Sequence, residues 1–116
     1  MPHDLLQRDL NVVEAMISIC DFLIDNKAKF TMENLEKDEF VLSTACYKIV
    51  NLGEEAGKLS DDAVESTRKT VDWHKVRGMR NRLAHEYLEV DVDIIFETIA
   101  QYIPTLRKSL AALLKE

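Results

Sequence analysis

The scarcity of chain-breaking residues constrains this sequence more than any other feature. Three glycines and two prolines interrupt 116 residues, of which 47% are hydrophobic. Because glycine and proline punctuate turns, their scarcity predicts a few long elements rather than many short ones. The apolar fraction is typical of a chain with a buried core and not of a disordered segment. The length fits a single domain over residues 1–116.

Apolar periodicity predicts that the long elements are helices. Two neighbouring apolar stripes, with steps of three and four residues, run through a first helix from about Asp4 to Asn26. Together they cover about half of the helix circumference. This helix is therefore either central in a bundle or has one stripe that faces another protein chain. Residues 28–37, "AKFTMENLEK", break the period and are predicted to be a connection.

A second helix is predicted from about Lys37 to Leu59, with an apolar set that includes Phe40, Ala45, Ile49 and Leu52. Each later helix follows a residue whose side chain can cap it. They are a short helix over residues 61–68 after Ser60, one that begins at Trp73 after Asp72, and a last one from about Val92 to Leu114 after Asp91.

Pro104 lies inside the last helical pattern and should kink it or disturb one turn. No period-two run is long enough to predict a sheet. The predicted fold is therefore all-α, an up-and-down bundle of about four long helices plus one short helix.

The cellular context follows from the cysteines and from the absence of long apolar runs. Cys20 and Cys46 lie in apolar helical patterns and are predicted to be buried thiols, as in a reduced cytosol. No stretch of about 18 uncharged residues could span a membrane. The first ten residues carry Asp4, Arg8 and Asp9 and no cleavable apolar run. We therefore expect a cytoplasmic protein.

Charge is unevenly distributed along the chain. The formal net charge is -6, yet residues 68–85 hold six cations and a single anion, Asp72. The rest of the chain holds nine cations and twenty anions. A basic segment in an acidic body is compatible with a site for an anion or RNA, and equally with a solvated basic helix face.

One face of the predicted fourth helix carries the residue types of an anion site. At about 100° per residue, an arginine, an amide, two histidines and a glycine share this face. They are Arg77, Asn81, His74, His85 and Gly78. An isolated histidine is more often solvated than functional, and a helical glycine can be a tolerated weakness of about 1 kcal/mol. The functional interpretation of Gly78 is close approach of another backbone or a phosphate.

Arg80 lies at the edge of the opposite, apolar face, where a cation needs a partner such as Glu54 or Glu55. On an ideal helix Arg80 and His85 are about 140° apart, so one copy of the helix does not place them side by side. A symmetric dimer could bring a second His85 into the same cleft.

The segment Arg80-Asn81-x-x-x-His85-x-Tyr87 resembles the Arg-x4-His-x-Tyr motif of HEPN-domain proteins, specifically the HepT-like toxins. The residues from "VDWHKVRGMRNRLAHEY" through the last helix, and "IVNLGEEAGKLS" on the second helix, are also similar to that branch. The resemblance covers nearly the whole chain. It implies a metal-independent endoribonuclease without a cofactor, homodimeric with its active cleft at the dimer interface. It also implies a toxin whose antitoxin, a minimal nucleotidyltransferase, silences it by transferring AMP to Tyr87.

These implications assign roles to residues of this chain. His85 would be the general acid or base, Arg80 would bind the phosphate, and Asn81 would orient either His85 or the phosphate. Arg77, Arg82, Lys75 and His74 would hold the RNA backbone, and Glu54 and Gly78 would support the site. Two alternatives remain open: a non-catalytic HEPN module that binds nucleotide or a nucleotidyltransferase, and a purely structural dimeric bundle.

Overall fold

A computed structural model describes residues 5–86 and 91–115, with side chains for all of these except 82 and 84–86. Every regular element in this part of the chain is helical. The α-helices are α1 (Gln7–Asp25), α2 (Met32–Lys37), α3 (Glu39–Ala56), α4 (Asp61–Thr67), α5 (Trp73–Glu86), α6 (Val92–Glu97) and α7 (Ile103–Leu113). A 3-10 turn at Lys27–Lys29 follows α1, and a π-helical segment at Thr98–Tyr102 joins α6 to α7.

The prediction of an all-α chain is confirmed over the described residues. The prediction that residues 28–37 only connect two helices is wrong, because they contain α2. The Thr31 hydroxyl caps this helix by accepting the Asn34 N–H at 3.1 Å. Leu35 fixes it against the core as a fully buried side chain. Six residues are too few to show a helical period, which is why the pattern missed α2.

Helix α1 occupies the centre of the bundle and packs against α3 on one side and α7 on the other. This position explains its broad apolar surface, since residues such as Val13, Met16, Cys20 and Leu23 are all buried. Of the two interpretations of that surface, a central position in the bundle is therefore enough to explain its width. The prediction that Phe40 belongs to the buried face of the second helix is wrong, because its side chain is 79% exposed.

The last helix changes geometry near Pro104, as its sequence predicts. Ile95, Ile99 and Ile103 follow one another at intervals of four residues, and all three are buried. In an α-helix each such step drifts by about 40° around the axis. The wider turn at Thr98–Tyr102 offsets this drift and accommodates the proline, which has no N–H to donate. Ile95 of α6 and Ile103 of α7 therefore both stay on the core.

A buried polar cluster fixes the turn that precedes α4. The Asp9 carboxylate, only 1% exposed, accepts the Ser60 N–H at 2.9 Å and the Ser60 hydroxyl at 2.8 Å. The same hydroxyl accepts the Ala63 N–H and caps α4, as the sequence predicts. The indole N–H of Trp73 donates to the Thr67 hydroxyl at 3.0 Å and ties the start of α5 to α4.

Both cysteines are buried and free, as their apolar surroundings predict. Burial raises the pKa of the Cys20 thiol to about 12, an effect to which the neighbouring Asp21 adds. None of the described helices combines the length and the apolar character needed to cross a membrane.

Candidate functional site

The candidate site depends on an unusually close approach of α3 to α5. Gly53 is buried in α3, and a Cβ added to it would overlap the Cβ of Arg80 and lie 3.3 Å from the Val76 carbonyl oxygen. Because glycine has no side chain, the stem of Arg80 can lie directly across the α3 backbone. Gly53 therefore fixes where the Arg80 guanidinium emerges.

A cleft of about 320 Å³ opens where the two helices meet, near the lower limit of small-ligand pockets. Its lining residues are Gly53, Glu54, Gly57, Lys58, Arg77, Arg80 and Asn81. Three of these side chains are cationic and one is a carboxylate. The two glycines lie about one helical turn apart and leave backbone open on the α3 side of the cleft, between the side chains of Glu54 and Lys58. The cleft thus combines positive charge with open backbone, which suits a small anionic group.

The Arg80 guanidinium is oriented but not saturated. Its Nη1 donates to Asn81 Oδ1 at 2.9 Å, and its Nη2 lies 4.0 Å from Glu54 Oε2. The Arg80 side chain is 39% exposed in this geometry. A guanidinium has five N–H donors, and Asn81 is its only hydrogen-bond acceptor among the described residues, so several donors can bind a phosphate that enters from solvent.

Glu54, one of the two partners predicted for Arg80, is the residue that faces it. Glu55 instead accepts a hydrogen bond from Lys58 Nζ at 2.6 Å. This pairing raises the pKa of Lys58, which stays cationic at the mouth of the cleft. Both glutamates of the Gly-Glu-Glu segment therefore contact a cation of the cleft.

The structure places the side chains of Lys75 and Arg77 on different sides of α5. Arg77 lines the cleft, whereas Lys75 Nζ lies 4.6 Å from the centroid of the Tyr102 ring on another side of α5. His74 is exposed on α5. Gly78 is exposed too, and a Cβ added to it would meet none of the described atoms within 4 Å. The close approach considered for Gly78 occurs within the described chain at Gly53 instead.

Three predicted residues fall partly or wholly outside the description. The backbone of α5 includes positions 82 and 85, but the side chains of Arg82 and His85 lie outside the described set. Tyr87 lies outside the described residues altogether. The roles assigned to these three residues therefore stay predictions.

Sequence reasoning missed Gly53, Gly57 and Lys58 as components of the cleft. A signal was present, since Gly53-Glu54-Glu55-Ala56-Gly57 places two glycines four residues apart in a helix. This spacing leaves one face of the helix open for a neighbouring chain or ligand to approach. This segment served only as support for the family resemblance, and its glycines were not placed at the site.

A second groove, of about 500 Å³, lies between α5 and the last helix. Its lining residues are Lys75, Met79, Ile94, Glu97, Thr98, Gln101, Tyr102 and Thr105. Burial raises the pKa of the Tyr102 phenol to about 12, with smaller contributions from Asp72 and Cys20. Within the described parts of the chain, no group of three or more histidine, cysteine or carboxylate side chains has a geometry that could hold a metal ion.

An all-helical bundle with a cationic cleft between α3 and α5, and an Arg-x4-His motif in the α5 sequence, defines a HEPN-type domain. The chain belongs to the HepT-like ribonuclease family, because the family model described as "Ribonuclease HepT-like" matches residues 14–113.

Relatives with assigned names agree with this family. The chain is 32% identical over 104 residues to "Putative RNase TTE0752" of Caldanaerobacter subterraneus subsp. tengcongensis, covering 90% of this chain and 92% of that protein. It is 29% identical over 98 residues to "Putative RNase MJ1216" of Methanocaldococcus jannaschii, covering 80% and 79% of the two chains. It is also 26% identical over 87 residues to "Probable ribonuclease HepT" of Thermococcus cleftensis, covering 75% and 66%. No solved structure matches this chain.

Proposed function

We propose that this chain is a metal-independent endoribonuclease that acts as a homodimer and serves as the toxin of a toxin–antitoxin pair. The observation that carries the proposal is the exposed Arg80 guanidinium, oriented by Asn81 in a cleft with two further cations. Membership of the HepT-like ribonuclease family supports RNA as the anion that enters this cleft.

In the proposed reaction the RNA supplies its own nucleophile. The ribose 2′-oxygen attacks the adjacent phosphorus as its proton leaves, and the bond from phosphorus to the 5′-oxygen breaks as that oxygen gains a proton. The products are a 2′,3′-cyclic phosphate and a 5′-hydroxyl. One group must accept a proton and another must donate one. Imidazole can do either near neutral pH, because its unperturbed pKa is about 6.5.

His85 and the His85 of a second copy are the groups to which we assign the two proton transfers. Arg80 binds the non-bridging phosphate oxygens, where a guanidinium fork offers paired N–H donors to the developing charge. Asn81 holds that fork from one side at 2.9 Å, and Glu54 limits its movement from the other. Together they fix the direction in which the free donors point.

The remaining cations of the cleft bind the RNA backbone on either side of the reacting phosphate. Arg77 and Lys58 line the same cleft as Arg80, and Arg82 is the third arginine of the α5 sequence. Contacts of this kind recognise phosphate and not base identity, and they weaken as salt rises.

Regulation is proposed at Tyr87. A nucleotidyltransferase antitoxin would transfer AMP from ATP to the Tyr87 hydroxyl, two residues from His85 in sequence, as the phenol loses its proton and pyrophosphate leaves. The added phosphate and adenosine would place negative charge and bulk beside the motif. RNA would then be repelled and excluded.

Cleavage of total cellular RNA in EDTA tests the proposal, using purified protein that mass spectrometry shows to carry no AMP. We expect the unmodified protein to cut and His85→Ala to lose about 10²- to 10⁴-fold in rate, the usual contribution of a general acid or base. Arg80→Lys keeps the charge but loses the fork, so it should cut far more slowly without loss of fold. Circular dichroism of each variant provides the folding control.

Each outcome decides between hypotheses. Cleavage by the unmodified protein in EDTA, together with its loss in His85→Ala, supports the metal-free mechanism and the role of His85. If the unmodified protein does not cut, the accessory-module alternative replaces the ribonuclease. If His85→Ala cuts as fast as the unmodified protein, the role given to His85 is wrong.

A further inference from the structure

Two consecutive residues at the start of α1 hold the turn that follows α3. The Asp9 carboxylate is buried and accepts both the N–H and the hydroxyl of Ser60. The neighbouring Arg8 donates from Nη2 to the Lys58 carbonyl oxygen at 3.3 Å. Because Lys58 lines the candidate cleft, this bond places the Arg8 guanidinium beside the end of the cleft that α3 forms.

The α3 end of the cleft is its least favourable part for an anion. It consists of the last turn of α3, which ends at Ala56, and of the two residues that follow. Free carbonyl groups and the negative end of the helix dipole gather at such a terminus. The Glu54 carboxylate lies there too, and the Lys58 ammonium is already bonded to Glu55 at 2.6 Å. A phosphate at this end therefore needs a further cation.

Arg8 has the properties of that cation. It is exposed, and its bond to the Lys58 carbonyl uses one of the five N–H donors of the guanidinium. Other donors of the same fork suit the paired oxygens of a phosphate. Arg8 can therefore offset the negative end of α3 and bind an anion at the same time.

The line of positive charge that Arg8 extends is short. Asp61 and Asp62 follow the turn directly, at the start of α4, and both are exposed. Carboxylates repel the phosphates of RNA, so RNA is not expected to continue over α4. We therefore expect Arg8 to add one phosphate contact and not a long RNA track.

We propose that Arg8 is an RNA-binding residue of this site, and that its guanidinium binds a backbone phosphate flanking the one held by Arg80. The bonds from Ser60 to Asp9 keep Arg8 in place beside the cleft. Both α1 residues precede the part of the chain, residues 14–113, that the family model matches. The proposal rests on the proposed function, because it extends the same RNA site, but binding can be measured without cleavage.

The salt dependence of RNA binding tests the proposal, measured by fluorescence anisotropy on the whole chain. The probe is a labelled single-stranded RNA with 2′-O-methyl riboses, which lacks the nucleophilic hydroxyl and therefore stays intact. Arg8→Gln should reduce the slope of log K against log salt by about 0.7, the value for one phosphate contact. Relative to 1 M salt, this slope corresponds to about five-fold weaker binding at about 0.1 M salt. Arg8→Lys keeps the charge and should keep the wild-type slope.

Lys27→Gln is the matched control, because it removes one exposed cation at the opposite end of α1. Helix α1 has 19 residues and is therefore about 28 Å long, which places Lys27 far from the cleft. The slope of Lys27→Gln should equal that of the wild-type chain. Urea denaturation of Arg8→Gln reports separately whether the bond to Lys58 stabilises the fold.

Each outcome supports or overturns the role of Arg8. A lower slope in Arg8→Gln, with wild-type slopes in Arg8→Lys and Lys27→Gln, supports it. A wild-type slope in Arg8→Gln, with a lower free energy of unfolding, means that Arg8 only caps the end of α3 and overturns the proposal. Equal losses in Arg8→Gln and Lys27→Gln would show a general effect of net charge and overturn it too, as would a wild-type chain that does not bind the probe.

Failure of this proposal and failure of the ribonuclease function give different results. A chain that shows the expected slopes but never cuts unmodified RNA supports the role of Arg8 and rejects the ribonuclease. A chain that cuts RNA, with a wild-type slope in Arg8→Gln, rejects the role of Arg8 and leaves the ribonuclease standing.

Discussion

The polar groups on the two sides of α5 differ in whether they are available to a ligand or used in packing. Towards α3, Arg80 has one hydrogen bond within the described chain and a carboxylate 4.0 Å away, and its guanidinium faces a cleft. Towards α4 and the last helix, the buried indole N–H of Trp73 has its acceptor at 3.0 Å, and Lys75 covers the Tyr102 ring. The residues of a single basic segment therefore divide into a group available to a ligand and a group committed to packing.

The largest effect on stability is expected from a substitution that breaks the contact between α3 and α5. Gly53→Ala should lower the free energy of unfolding by about 3 kcal/mol, because its Cβ would overlap the Arg80 side chain and force α3 and α5 apart. Gly78→Ala is the matched control on α5 itself. It meets open space and should raise the free energy of unfolding by up to about 1 kcal/mol. Urea denaturation measures both, and equal effects would contradict the close approach.

A smaller effect is expected on the other side of α5, in the pH dependence of stability. Because the native pKa of Tyr102 is raised to about 12 from an ordinary 10.0, the unfolded chain loses this proton at a pH where the native chain keeps it. Stability should therefore fall as the pH rises from about 10 to about 12, by at most about 1.4 kcal/mol per pH unit for this group. Tyr102→Phe keeps the ring and should flatten that decline. An unchanged slope in Tyr102→Phe would contradict the burial of the phenol.

The smallest effect compares two cations of α5 directly. Arg77→Gln should weaken binding of single-stranded RNA and reduce the salt dependence of binding by about 0.7, the value for one lost phosphate contact. Lys75→Gln removes the same charge from the opposite side and should leave that slope unchanged. Fluorescence anisotropy across a salt series measures both, and equal slopes would mean that RNA contacts both sides of α5.

The fold was predictable wherever local chemistry dominates. Ser60, Asp72 and Asp91 cap the helices that follow them, because each side chain accepts an N–H in the next turn. Pro104 predicted the disturbed turn of the last helix for a similar local reason, since proline has no N–H to donate. Helix α2 escaped detection because it is shorter than two turns, and Phe40 was misassigned because an apolar residue on a helical period can still face solvent.

The candidate site was predictable only in part, because its geometry depends on two helices. Periodicity placed Arg77, Arg80 and Asn81 on α5, and Glu54 was one of two partners considered for Arg80. No local rule shows that Gly53 lies beneath Arg80, or that Lys58 closes the cleft, since these are contacts distant in sequence. Lys75 was grouped with the other cations because counting charges along a sequence ignores the direction in which each side chain leaves the helix.

The contact between Gly53 and Arg80 also determines at which stage of synthesis and folding the cleft can form. During synthesis α3 leaves the ribosome before α5. Gly53 is therefore made before Arg80, whose side chain will lie across it. Neither helix alone gathers the cations, and no cleft forms until the two have docked. An unfinished or partly folded chain therefore has the motif without the site, and the onset of any activity at the cleft is tied to completion of the α3–α5 interface.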